Sequence, residues 1–413
     1  DVREGKKLIQ DFIQHFPKAR MGMEPYPLSL RSINWIRFLS CNGINDVDID
    51  AVLYAQLKLL IHKLEYHLLG NHLLENGFAL LFGAYYFNDP VFYKKAKAIL
   101  IPELQEQVLG DGGHFERSPM YHCIMLYRVL DCYNLVRNNA LFGRELEDIL
   151  KERAEVMLGW LEEVVYSNGR IPLLNDAAVG IAPTAKELIE YSQRLGIFCG
   201  KKVRLKESGY RKVRWGKFEL FIDVGEVGPD YQPGHAHADT FSFELYINGR
   251  PVIVDTGTST YEVNNSRFYE RSTAAHNTVV ISGQNSSQVW AGHRVARRAR
   301  VKVLCDEEER VIAVHDGYKR LGCLHTRKVE KMKEHLRIVD EIDCEGVAYL
   351  HFMPKEDIVL DGDRLMGPDY CIELKGAREI EPFTSMYAPE FNKREERRSF
   401  RISFDRRLET IIQ

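Results

Sequence analysis

Three histidines and two carboxylates crowd one stretch of this 413-residue chain: Gly234-His235-Ala236-His237-Ala238-Asp239, then Asp255, then His276-Asn277. Side chains alternate along an extended segment, so His235 and His237 are expected on one side. Phe241, Phe243, Leu245 and Ile247 alternate with polar residues, Asn248-Gly249 supplies a two-residue turn, and Val252-Ile253-Val254-Asp255 returns. That pattern predicts a hairpin carrying Asp255 back towards the histidines. Two imidazoles and one carboxylate suit a zinc-like divalent ion and leave another histidine for proton chemistry. His62, His67, His315, His325 and His335 stand in no such pattern and read as ordinary surface or core residues.

Two further constellations lie in the first half. Asn71, His72 and Glu75 open a helical stretch and fall within one sector of it, with Glu75 close enough at i, i+3 to orient the His72 ring. The run Asp111-Gly112-Gly113-His114-Phe115-Glu116-Arg117-Ser118-Pro119-Met120-Tyr121-His122 is a glycine-rich loop feeding a helix, with Ser118 and Pro119 as cap and first-turn residue. Tyr121 and His122 then sit in the first turn, where a tyrosine hydroxyl can donate or accept a proton.

These residues must be held by two kinds of scaffold. Gly5 to Phe16, Asp48 to Tyr66, Asn71 to Phe87, Val91 to Leu109, Ser118 to Val136 and Glu145 to Tyr166 carry apolar residues at helical spacing. The short connections at Leu69-Gly70 and Asn88-Asp89-Pro90 predict antiparallel helical hairpins. Near Gly200 the period changes to two. Lys217 to Asp223, Thr240 to Ile247, Val252 to Asp255, Thr278 to Ser282, Arg310 to His315 and Arg337 to Glu341 read as strands separated by turns. Helices first and strands second predict an α+β protein of two consecutive domains, divided at 1–205 and 206–413.

Composition narrows the class. Hydrophobic content of 45% is ordinary for a globular chain, and no apolar run is long enough to span a bilayer. A formal charge of -3 argues against a general nucleic-acid binder. The runs His293-Arg294-Val295-Ala296-Arg297-Arg298-Ala299-Arg300 and Lys201-Lys202-Val203-Arg204 are locally basic, which suits either a solvated face or a polyanion. The eight cysteines form no Cys-x-x-Cys pair and read mostly as reduced, packed thiols. No secretory leader is visible at Asp1, and Asp1 is not an initiator methionine, so the start of the chain does not reveal a compartment.

Taken together, Asn71-His72-x-x-Glu75, the loop from Asp111 to Tyr121, and His235 through Asp255 to His276-Asn277-Thr278 resemble the heparinase II/III superfamily of polysaccharide lyases. The likeness runs from about Pro25 to about Arg300. It implies an incomplete (α/α) toroid followed by antiparallel sheets, packed as a sandwich. It also implies a carbon–oxygen lyase that cleaves a uronic-acid polysaccharide by β-elimination, most readily a glycosaminoglycan such as heparin, heparan sulfate, chondroitin sulfate or hyaluronan. By that likeness Asn71, His72, Tyr121 and His235 are catalytic or bind the substrate carboxylate, with Glu75 in support. His237, Asp255 and His276 match metal ligands, Asp239 competing with Asp255. The implied cofactor is one divalent ion, zinc before manganese or calcium, with no organic cofactor. The implied partner is an acidic polysaccharide, in a monomer or homodimer from a periplasmic or secreted setting, a cytoplasmic one being the alternative. Arg267, Arg271 and His122 are further candidates for substrate contact, and Tyr261 and Trp290 for stacking on sugar rings or core packing.

Two rival functions remain open on the residues alone. A glycoside hydrolase needs two carboxyl groups across a cleft, for which Glu116, Asp176, Asp239 and Glu244 are available but unpaired in sequence. A non-catalytic polysaccharide-binding protein would use the metal only as a staple.

Overall fold

The computed structural model describes residues 1–15, 22–200 and 202–413. Eight helices come first: α1 (Val2–His15), α2 (Pro25–Cys41), α3 (Val47–Ile61), α4 (Gly70–Phe87), α5 (Pro90–Gln107), α6 (Pro119–Arg137), α7 (Glu145–Val164) and α8 (Ala185–Arg194). The strands β1 (Tyr210–Trp215), β2 (Phe218–Asp223), β3 (Phe243–Ile247) and β4 (Arg250–Ile253) follow, then the short helix α9 (Asn265–Glu270). The remainder comprises β5 (Val279–Val280), β6 (Gln288–Trp290), β7 (Arg294–Ala296), β8 (Val301–Asp306), β9 (Arg310–His315), β10 (His325–Lys331), β11 (Leu336–His351), β12 (Val359–Asp361), β13 (Arg364–Met366), β14 (Cys371–Glu390) and β15 (Lys393–Ile412). This order is the α+β arrangement expected from the change of period. The first expected helix ends at His15, and Phe16 and Lys201 lie outside the described residues.

The chain divides into two compact units that no single cut separates. The first comprises Asp1–Val108, Met125–Val156 and Tyr191–Phe198; the second comprises Leu109–Ile124, Met157–Glu190 and Cys199–Gln413.

Within the first unit α4 is buried along nearly its whole length, from Gly70 to Tyr85. Leu73, Leu74, Phe78, Leu80 and Leu81 leave it no polar face, so it packs against α2, α3 and α5 at once. Two glycines permit this. A Cβ on Gly83 would stand 2.4 Å from Leu57 Cδ1, and one on Gly77 would stand 2.9 Å from Leu100 Cδ2. The Asp46 and Asp89 carboxylates cap α3 and α5 by accepting from the first free main-chain N–H groups. Helix α4 begins differently. Leu69 and Gly70 both have positive φ, +59° and +58°, immediately before Asn71. A leucine in that region is strained, and such strain is stored preferentially at functional sites.

In the second unit β1-β2-β3-β4 form an antiparallel sheet, and β12-β13-β14-β15-β11-β10-β9-β8 form a larger one, with β5 on β11. Their inner faces share one apolar core that includes Phe218, Leu220, Phe243, Leu245, Phe352 and Phe400. The Asn248-Gly249 turn is as expected. Both residues have positive φ, 51° and 73°, the geometry that joins β3 to β4 in two residues. Among the cysteines, Cys323 and Cys344 form a disulfide, which the reading as packed thiols did not anticipate; the other six are free.

Candidate functional site

The stretch from His235 to Asp239 is irregular rather than a strand; the β-structure begins at Phe243. The expected convergence of His235 and His237 is nevertheless present, made by a carboxylate that the motif did not contain. Asp176 accepts from His235 Nδ1 through Oδ2 at 2.9 Å and from His237 Nε2 through Oδ1 at 2.8 Å. Arg267 completes the cluster by binding both oxygens of Asp176, with Nη2 to Oδ2 at 2.8 Å. Asp176 and Arg267 are both wholly buried. Burial alone would push the Asp176 carboxyl up, but Arg267, His235 and His237 outweigh it and hold the group well below the carboxylate range. An ionised carboxylate only accepts, so His235 Nδ1 donates to Asp176, and Nε2 points the other way, towards Glu116.

Tyr121 comes from the first turn of α6. Ser118 caps that turn, its Oγ accepting from Tyr121 N at 3.2 Å while donating to the Asp176 carbonyl. The Tyr121 and His235 rings stack at 4.0 Å between centroids, tilted by 30°. The Tyr121 hydroxyl lies 3.2 Å from that of Tyr261, and the Glu116 carboxylate 3.5 Å from His235 Nε2. Burial pushes the Tyr121 phenol well above its ordinary range, so it is neutral near pH 7. His293 joins the same group, its ring 5.9 Å from His235 and 5.2 Å from Tyr261.

Several expected site residues serve as supports. His122 is fully buried, its Nδ1 accepting from His114 N and its Nε2 donating to the Met157 carbonyl, so it holds the loop and cannot reach a substrate. Arg271 is also buried; its Nη1 and Nη2 reach the carbonyls of Trp290, Ala291, Ala236 and Arg294. Arg267 is consumed by Asp176 rather than by a ligand. Both arginines thus position the histidine loop from inside, which a motif search cannot distinguish from a substrate clamp.

Among the described residues, one set of three metal-ligand side chains has ligand atoms all within 4.8 Å: Asp176, His235 and His293. It can hold a cation only beside the Arg267 guanidinium already seated on Asp176, an electrostatically poor position. His237, Asp255 and His276 do not form so tight a set, but their chemistry fits a metal better. His276 Nδ1 is bonded to Asp255 Oδ2 at 2.7 Å, as His237 Nε2 is to Asp176. The opposite ring nitrogens, His237 Nδ1 and His276 Nε2, are buried without a protein partner, and so is Asp239 Oδ2. The two rings lie 5.3 Å apart. Imidazoles fixed by a carboxylate on one nitrogen and orphaned on the other are the usual form of metal-binding histidines. Burial pushes the Asp239 carboxyl up to about 6, with His276 opposing and Asp255 reinforcing the shift, the sign of a buried acidic cluster short of positive charge.

The sheet holds this loop from below. Asn277 donates to the carbonyls of Phe243 and Val254 and accepts from His351 N, joining three strands behind His276. Arg327 on β10 pairs with Asp340 through Nε and Nη2 at 2.7 and 2.9 Å, and its Nη1 donates to the carbonyls of Phe241 and Asn277. His325 bonds both His315 and Asp340 inside the core, as a satisfied core histidine should, whereas His62 and His67 are exposed.

The first unit carries the Asn71 group. Asn71 is buried and His72 half-buried. The carboxylate that orients His72 is Glu65, 3.0 Å from Nδ1, and Glu65 also accepts from Asn76 at 2.9 Å. Tyr26 stacks on the His72 ring at 4.5 Å. Glu75, expected in that role, is instead sealed in the core against Arg128 at 2.8 Å. The i, i+3 spacing would let Glu75 reach His72, but the Glu75 face is buried on Arg128.

Family models agree with this architecture along nearly the whole chain. Residues 28–203 match the Heparinase II/III N-terminus and residues 200–413 the Heparinase II/III-like, C-terminal model. The chain belongs to the heparinase II/III family. It is 27% identical over 338 residues to a heparin-sulfate lyase of Bacteroides stercoris, covering 72% of this chain and 48% of that one. It is also 26% identical over 274 residues to the FtsZ-localized protein C of Caulobacter vibrioides, covering 62% of this chain and 45% of the relative. The chain thus spans about half the length of the curated relatives it matches. A crystal structure of heparinase III superposes with a TM-score of 0.77 at 20% identity, covering 100% of this chain and 73% of the other, and shows that the fold is shared.

Proposed function

We propose that this heparinase II/III family chain is a lyase that breaks a uronic-acid polysaccharide by β-elimination, its substrate being a glycosaminoglycan of the heparin or heparan sulfate class. The observation that carries the reading is the Tyr121–His235 stack backed by the buried Asp176–Arg267 pair. The names of the heparin-sulfate lyase relatives support the substrate class.

In this mechanism neutral His235 takes the C5 proton of the uronate on Nε2. The electron pair closes the C4–C5 double bond, the C4–O4 bond breaks, and the Tyr121 hydroxyl protonates the departing oxygen. Tyr121 is suited to the acid role because burial disfavours its anion. Asp176 stabilises the imidazolium that forms, without itself being protonated. The carboxylate of the substrate must be relieved of charge for C5 to be acidic. On the family likeness this falls to Asn71 and His72, with Glu65 fixing the His72 ring. Each preorganised donor of this kind is worth about 3–4 kcal/mol.

A zinc-like divalent ion would be held by His237 Nδ1, His276 Nε2 and Asp239 Oδ2, with Asp255 fixing the His276 ring from its other nitrogen. When bound it supplies a fixed positive charge that staples the loop presenting His235. The Cys323–Cys344 disulfide supports an oxidising setting such as the periplasm or the exterior.

A hydrolase is less well served. Asp176 is locked as an anion by Arg267 and cannot be the proton donor a hydrolase requires, while Glu244 is buried under Tyr166. The test is a panel of uronate polysaccharides read for products with ultraviolet absorbance. Unsaturated uronate ends are expected, and saturated reducing ends alone would overturn the proposal.

A further inference from the structure

The basic run around Arg297 is only partly accounted for by the site described above. Arg298 and Arg300 are taken by Asp230 and Glu226 and by nearby carbonyls. Arg294 and Arg297 have no acidic partner among the described residues, and both are exposed. Arg297 lines a cavity of about 180 Å³ with Arg320, Gln284, Asn285, Gln288 and Val289. No carboxylate lines it. Asn285 Oδ1 accepts from Thr273 N at 3.0 Å, and the Asn285 carbonyl accepts from Arg320, so what remains of the Asn285 amide is its donor end. Two guanidinium groups and three amides without a counter-charge suit a small oxyanion.

The pocket sits at the base of a hairpin. Gln288, Trp290 and Arg294 share one face of β6–β7, because Gln288 and Trp290 are two residues apart and Trp290 pairs directly with Arg294. Trp290 is 44% exposed. The tip beyond it is pinned down by Arg267 Nε on the Gly292 carbonyl, and it delivers His293 to the His235–Tyr261 group. Gln288 and Trp290 stand about 7 Å apart along β6, and the turn at 291–293 follows directly, so anion pocket, aromatic face and the His293 end lie along one hairpin.

We propose that the β6–β7 hairpin is a substrate-binding arm. Its Arg297–Arg320 pocket takes a sulfate ester on a sugar remote from the cleaved bond, and Trp290 stacks on an intervening ring. This rests on the polysaccharide reading above. It predicts that the chain prefers sulfated over unsulfated uronate polymers.

The test uses the Arg297→Ala/Arg320→Ala double variant and Trp290→Ala in the full chain. These exposed changes should leave the thermal midpoint within about 2 °C. For a sulfated heparan substrate the double variant should raise KM about fivefold to tenfold with kcat within twofold, and should leave KM for the unsulfated polymer unchanged. Trp290→Ala should raise KM for both. Calorimetric binding of a sulfated tetrasaccharide, an unsulfated one and inorganic sulfate gives a readout independent of turnover. Loss of the sulfated tetrasaccharide alone in the double variant supports the arm. Unchanged sulfated binding or KM overturns it, as does equal affinity for inorganic sulfate and the tetrasaccharide. If binding is lost in the variant while no polymer yields unsaturated product, the lyase reading fails and the arm stands.

Discussion

Tyr121 and His235 lie face to face at 4.0 Å, although 114 positions of sequence separate them and each arrives on a different kind of element. The contact fixes both side chains against one another without a direct hydrogen bond between them. Their polar ends remain distinct, the hydroxyl towards Tyr261 and Nε2 towards Glu116. An acid and a base held side by side in this way can serve two atoms of one sugar.

Tyr121→Phe keeps the stack and removes only the hydroxyl. Turnover measured by ultraviolet absorbance should fall by about 10²- to 10⁴-fold, with the thermal midpoint unchanged. His235→Ala should lose as much. Near-parental turnover in either variant would remove that residue from the chemistry.

Asp176→Asn should damage stability and activity together. It leaves Arg267 charged and buried without its ion-pair partner, a change that costs about 3–5 kcal/mol. Urea unfolding measures the loss directly. A variant as stable as the parent would show that the buried pair is not held as described.

Metal content separates the two ligand sets. His237→Ala and His276→Ala should each abolish the retention of about one divalent ion per chain after dialysis, measured by elemental analysis, whereas His293→Ala should retain it. Retention in His237→Ala with loss in His293→Ala would move the ion to the Asp176 group.

Acid should weaken the fold early, before most carboxylates titrate. Burial, with His114 nearby, lowers His122 from 6.5 to about 3, and burial lowers His114 to about 4. The unfolded chain therefore binds more protons than the folded one in this window. The neutral rings contribute their full stability above pH 6.5 and lose it as pH falls towards 3–4, at about 1.4 kcal/mol per pH unit for each proton. His122→Gln should flatten that slope in urea midpoints taken from pH 7 to 4.5; an unaltered slope would exclude His122 as a contributor.

What the sequence showed, it showed through period and punctuation. Helix α4 and the β3–β4 turn were legible because apolar spacing, Asn88 and Asn248-Gly249 all point to the same local answer. The hairpin β14–β15 was not, because Gly376, Pro382 and many charges blur its alternation, and from Lys375 to Thr384 no residue of β14 is buried. Helix α2 was hidden by its two early prolines and weak amphipathicity. In the site, His235 and Tyr121 stood out within motifs, but Asp176 and Glu65 are isolated carboxylates that acquire their roles only through long-range folding. Nothing local marks Asp176 as the acid shared by the histidine pair and Arg267, because Asp239 and Glu270 stand much nearer to them in sequence. Glu75 misled for the opposite reason, since spacing on a helix says who can meet but not which face is sealed.

Arg327 has a consequence for how the molecule opens. Its one guanidinium ties strand β10 to the backbone on either side of the histidine loop, at Phe241 and Asn277. That loop therefore cannot breathe independently of the sandwich beneath it. Its amide protons, although they lie in irregular chain, should exchange with solvent as slowly as those of the central strands, and the histidine loop and the sheet should melt as one cooperative body.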